Sequence, residues 1–158
     1  MLIQTTGKPN HISLKTAKDA ARFYGEYLLG QKLYPKVFVT LNFQKFKRGS
    51  NDYAYCDWID ESDRKRDFMI TLDARLNKKE TLLALAHEMV HVKQYAKGEM
   101  RDIFRPTRMV NFQGVRYMHE EMDYWEQPWE IEAYGREKGL YVKIMTFMDE
   151  KVHGYISV

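Results

Sequence analysis

The chain has 158 residues and weighs 18.9 kDa, the size of one domain. Hydrophobic residues make up 44% and charged residues 30%, which excludes a disordered tail, a collagen-like repeat and a disulfide scaffold. Lys plus Arg number 25 against 22 Asp plus Glu, and a formal charge of +3 is too small for a protein built to coat nucleic acid or an anionic membrane.

Residues 1–12 are polar and read as irregular. A first helix is predicted from Thr16 to Leu29, because Ala20, Phe23, Tyr24, Tyr27 and Leu28 recur on one face and Gly30 can end it. Three strand-like segments follow. Val37, Val39, Leu41 and Phe43 alternate with Phe38, Thr40 and Asn42, Tyr53–Ile59 is short and aromatic, and Asp67–Asp73 alternates Phe68, Ile70 and Leu72 with Met69, Thr71 and Asp73. Their short links predict an antiparallel meander. A second helix is expected from Asn77, where Glu80 three residues on completes a capping-box pattern, to Ala96 ahead of Gly98. Residues 99–127 are the least legible stretch, with Met109–Tyr117 reading as a hairpin or an extended loop around Gly114. A third helix starts at Pro128 and runs to Lys151. The order predicts an α+β fold in a single domain, 1–158, built on a small three- to four-stranded, mainly antiparallel sheet.

One cysteine, Cys56, cannot form an intrachain disulfide and reads as packed on a sheet face rather than as a nucleophile. The start lacks the apolar core of a signal peptide, and no run of 18 apolar residues exists. A cytoplasmic protein that does not span a membrane is the expectation. Aromatic residues reach 14%, with 11 tyrosines, more than one small core requires.

The second helix contains His87-Glu88-Met89-Val90-His91, an HExxH. Residues four apart on a helix leave the same face, so two neutral imidazoles there can chelate one Zn²⁺. Glu88 lies beside the ligand pair rather than on it, where its carboxylate suits a general base acting on a metal-activated water. With 5 His and 12 Glu in the chain, chance gives about 0.01 such matches. A catalytic zinc site needs a third protein ligand. Glu130, in the first turn of the third helix with the small Ala133 three residues on, is preferred over His119 and over Glu132, which points about 200° away around that helix.

His87-Glu88-x-x-His91 with the downstream Glu130-x-x-Ala133 resembles the gluzincin branch of zinc metallopeptidases, closest in style to small phage and bacterial zincin-like metallopeptidases of the SprT-like and ImmA/IrrE kind. The resemblance spans roughly residues 67–140. It implies a minimal zincin-like fold: a small twisted sheet over the active-site helix, with a second helix bringing the third ligand. It also implies a peptide substrate along the sheet's edge strand, for which Asp67–Asp73 is the candidate. Two positions depart from the pattern. Gluzincins often carry Asp or Asn four residues after the ligand Glu, where this chain has Tyr134, and SprT-like proteins place a third histidine much closer to the motif than His119.

Tyr134 is the preferred donor for the oxyanion formed on a scissile carbonyl, ahead of Tyr124, Tyr117, His119 and Arg116. Gln94 is expected to be solvated, with a hydrogen bond to a group that supports the metal ligands as its alternative, and Asp73 to shape a turn rather than orient a histidine. The six carboxylates between Glu120 and Glu132 form a solvated face or a negative wall favouring basic peptides. Two basic turns, Lys45/Lys47/Arg48 and Arg64/Lys65/Arg66, would touch nucleic acid only if they lie together. The leading expectation is a zinc-dependent peptidase acting on protein or peptide. The alternative is a non-catalytic zinc-containing interaction or DNA-associated module, which a fourth protein ligand such as His119 would favour.

Overall fold

A computed structural model of the chain describes residues 1–103 and 108–154. Seven strands and three helices follow in the order β1 (Leu2–Thr6), α1 (Leu14–Leu33), β2 (Phe38–Gln44), β3 (Ala54–Trp58), β4 (Asp67–Asp73), α2 (Lys78–Ala96), β5 (Met100–Ile103), β6 (Met109–Phe112), β7 (Val115–Met118) and α3 (Pro128–Gly154). The fold is α+β.

The main sheet has the strand order β1-β2-β4-β3. β1 runs parallel to β2 and β2 parallel to β4, and only β3 is antiparallel to its neighbour. The expected antiparallel meander is therefore replaced by a mixed sheet, and Asp67–Asp73 is an inner strand rather than the edge. Burial explains the arrangement. Phe68, Ile70 and Leu72 face the helices with none of their surface exposed, and Thr71 and Asp73 are buried on the other face, so β4 needs a neighbour on each side. β3 alternates half-buried Ala54, Cys56 and Trp58 with exposed Tyr55 and Asp57, a pattern that suits an edge. Residues 1–12 were expected to be irregular because they are polar; Leu2–Thr6 instead pairs with β2 as the opposite edge, with Ile3 its one buried residue.

α1 begins at Ser13, whose hydroxyl accepts from the Thr16 N–H (3.0 Å). Its helical backbone is interrupted at Gly30, at φ 71° and ψ 169°, a left-hand-region φ that glycine tolerates. α1 and α2 pack on one face of the main sheet, and α3 packs against α2. α2 opens with the capping box read from the sequence: Asn77 Oδ1 accepts from Glu80 N–H, and Glu80 Oε2 accepts from Asn77 N–H, both at 2.9 Å. It closes with Gly98 at φ 72°, where Gly98 N–H donates to Tyr95 C=O and Glu99 N–H to Gln94 C=O. These are the two bonds of a Schellman motif. Because sheet, α1 and α3 surround it, α2 is buried on every side over its last twelve residues, Leu85–Ala96.

The stretch that was hardest to read holds a second, antiparallel sheet, β5-β6-β7. Gln113 and Gly114, both at positive φ (51° and 86°), form the two-residue turn between β6 and β7, so the hairpin reading holds. Trp129, in the first turn of α3, packs beneath this sheet against Phe112, Tyr117 and His119. No helix among the described residues is long and apolar enough to cross a membrane.

Candidate metal centre

The helical period puts His87 and His91 one turn apart on the face of α2 that meets α3. Ala133 is fully buried there, and its small side chain lets the first turn of α3 approach closely. Glu130 thereby reaches both imidazoles. His87 Nε2 lies 3.2 Å from Glu130 Oε2, His91 Nε2 lies 3.3 Å from Glu130 Oε1, and the two Nε2 atoms are 3.3 Å apart. All three side chains are buried, and together they form a group able to hold a metal ion.

Two features of the donors fit a small divalent cation. A tetrahedron with metal–ligand bonds of about 2.0–2.1 Å has edges of roughly 3.3–3.4 Å; the two Nε2 atoms lie at that spacing, and each imidazole is at a similar distance from one of the two Glu130 oxygens. The outer nitrogens also face acceptors. His87 Nδ1 is 3.0 Å from Glu137 Oε2, and His91 Nδ1 is 2.8 Å from Gln94 Oε1. An Nδ1–H donating outward leaves the Nε2 lone pair of each neutral ring directed at the shared centre.

Without a cation the two histidines favour their protonated forms and Glu130 its carboxylate. Burial would lower the His87 imidazole, but Glu130 and Glu137 raise it to about 9. Burial also opposes a charge on His91, which Glu130 and Glu88 nevertheless raise. Burial disfavours the Glu130 carboxylate, yet His87, His91 and the Tyr124 hydroxyl hold its carboxyl well below the usual range. Tyr124 OH donates to Glu130 Oε2 at 2.8 Å. Glu88 is 6% exposed, and burial lifts its carboxyl, with the nearby His91 and His87 opposing. The Glu88 carboxylate makes no hydrogen bond among the described residues, and it lines a cleft of about 410 Å³ with His87, Glu137, Tyr124, Tyr134 and the start of β3.

Tyr134 stands on the wall of this cleft. Its ring packs edge-on to His87 with centroids 4.5 Å apart, and its hydroxyl is 3.4 Å from that of Tyr124. His119 is not at the centre, because it stacks on Trp129. Glu132 points away from it, to Lys93, Gln94 and Arg136. Gln94 is fully buried, which corrects the expectation of a solvated side chain. Asp73 accepts from Arg75 and shapes the turn after β4. Cys56 is a free, half-buried cysteine in β3, packed against the core. The two basic turns lie at opposite ends of β3, in the β2–β3 and β3–β4 connections, so they form no common patch.

Two residues contact the site in roles that the sequence did not assign to them. Glu137 sits two turns after Glu130, on the helical face that also carries Ala133 and Leu140; that spacing was the available clue. Tyr124 precedes α3 in a short 3₁₀ turn, Tyr124–Glu126, whose entry is capped by Asp123, and nothing periodic marks it. No family model, curated protein or solved structure matches the chain.

Proposed function

We propose that the chain is a zinc-dependent peptidase, with His87, His91 and Glu130 as metal ligands and Glu88 as general base. The observation that carries this reading is the position of Glu88. A buried carboxylate without a side-chain hydrogen bond among the described residues lines, together with His87, a cleft beside a group of three donors able to hold a metal ion. Burial disfavours its charged form, and the opening to the cleft lets a water and a reacting peptide approach it.

Bound Zn²⁺ would supply the Lewis acidity that polarises a peptide carbonyl and lowers the pKa of water toward 7. Glu88 takes the proton of the attacking water on its carboxylate and hands it to the departing amine. Burial raises the Glu88 carboxyl, a direction that favours a carboxylate able both to accept and to release a proton near neutrality. Tyr134 presents its hydroxyl at the cleft wall, placed to donate to an oxyanion, while the Tyr124 hydroxyl donates to Glu130. Burial, Tyr134 and Glu130 raise the Tyr124 phenol, so it stays protonated as a donor. The substrate would lie as an extended strand along β3, the antiparallel edge that starts at the cleft, in place of the inner strand Asp67–Asp73.

A structural zinc needs a fourth protein ligand. His119, the residue that would have supplied it, is engaged with Trp129 instead, so the non-catalytic reading has no observation in its favour. The substitution Glu88→Gln separates metal binding from chemistry. Zinc-loaded E88Q is expected to keep one zinc per chain and lose hydrolysis of an unfolded protein substrate by roughly 100-fold or more. Wild-type activity in that variant overturns the assignment.

A further inference from the structure

The Gln94 side chain has none of its surface exposed, and every polar atom of its amide is used. Oε1 is 2.8 Å from His91 Nδ1, while Nε2 donates to the Trp129 carbonyl and to Glu132 Oε2, each at 2.9 Å. A carbonyl oxygen can only accept. Glu132 is also held as an acceptor, because its carboxylate takes hydrogen bonds from Lys93 Nζ, Gln94 Nε2 and Arg136 Nε. The –NH₂ end must therefore face α3 and the C=O end must face His91, since a flipped amide would set its oxygen against two acceptors. Seen from His91, the only complementary state carries the proton on Nδ1.

We infer that Gln94 is a positioning residue that fixes His91 and Glu130 together, and that Glu132 is the anchor that holds its amide in the productive orientation. This rests on His91 and Glu130 being metal ligands. Trp129 and Glu132 bracket Glu130 in the chain, so one amide on the histidine helix grips the first turn of α3 on both sides of the third ligand. The same contact that selects the Nε2 lone pair of His91 also sets the distance across which Glu130 reaches it. Glu132 is tied in turn to Lys93, beside Gln94 on α2, and to Arg136 one turn along α3 (Nε–Oε1 2.9 Å). At His87 the equivalent acceptor is a carboxylate, Glu137, acting directly. His91 instead receives a neutral acceptor whose direction is imposed by a charge one residue further out.

The test uses the full chain loaded with Zn²⁺ alone. Two-bond ¹H–¹⁵N correlation spectra are expected to show His91 protonated at Nδ1 and coordinated through Nε2, with a slowly exchanging Nδ1–H. Gln94→Met keeps the shape and removes all three hydrogen bonds. It is expected to lower zinc affinity about 10–100-fold in competition with a chromophoric chelator, and to speed exchange of the Nδ1 proton. Glu132→Gln keeps the shape and removes the charge that orients the amide, and is expected to lower zinc affinity by a smaller factor. A merely structural Gln94 would lower the melting temperature and leave the His91 proton signature and zinc affinity unchanged. His91 bound through Nδ1 in the wild type, or wild-type zinc affinity in both variants, overturns the inference. The wild-type spectrum and E132Q decide it even where Q94M does not fold. No readout involves peptide hydrolysis, so a zinc-binding but inactive protein would overturn the peptidase reading and leave this inference standing.

Discussion

In the metal-free chain the buried His87 favours its protonated form, and the folding equilibrium must then depend on pH. His87 titrates at about 9 in the folded chain and at about 6.5 in an unfolded one. A folded pKa above the unfolded value means that the folded state binds the proton more tightly. The contribution is therefore complete below pH 6.5 and is lost as pH rises through 9. The difference corresponds to roughly 3 kcal/mol, and with the side chain only 10% exposed little of it is screened by solvent. Glu130 is the other half of the same pairing and limits the acid side, because its depressed carboxyl gives stability that fades as it protonates. Urea denaturation of chelator-treated protein at fixed ionic strength, from pH 5.5 to 9.5, measures the slope. Unfolding free energy is expected to fall by roughly 3 kcal/mol between pH 6.5 and 9, and His87→Asn is expected to flatten the curve. Saturating zinc reverses the trend, since metal ligation requires neutral imidazoles and weakens as the solution becomes acidic. A flat profile for the metal-free wild type, or an unchanged slope in the Asn variant, would refute the reasoning.

Ala133→Leu inserts three carbons where α3 meets α2. It is expected to cost about 1–3 kcal/mol and to carry Glu130 away from the histidines, so the zinc-induced rise in melting temperature shrinks. Asn77→Ala removes half of the capping box and is expected to cost about 1 kcal/mol in thermal denaturation while leaving zinc stoichiometry unchanged. Together the two variants separate damage to the ligand geometry from damage to the helix that carries it.

Much of the site was legible because chelation by a helix imposes a spacing. His87 and His91 at i and i+4, Asn77 with Glu80 at the start of α2, and Ala133 one turn past Glu130 are patterns that few other arrangements produce. The supporting shell was not legible. A buried Gln94 and a solvated one look the same in a helical pattern, because what distinguishes them is contact with Glu132 and Trp129 some 35–38 residues away. The sheet order was missed for a related reason. Short links favour neighbouring strands, but β4 buries both faces and takes the inner position between β2 and β3. β1 offers a single buried residue, Ile3, too little for an alternation to register.

The enclosure of α2 between Leu85 and Ala96 has a consequence for motion. A helix covered on all sides has no local opening that frees its amides, so those protons exchange with solvent chiefly when the whole domain unfolds. Both histidines and Glu88 belong to that segment. The residues that face a ligand from across the cleft do not, since Asn51–Tyr53 and Tyr124 sit in exposed connections. Adaptation to differently shaped ligands must then come from these rims, over a base that keeps its geometry for as long as the protein stays folded.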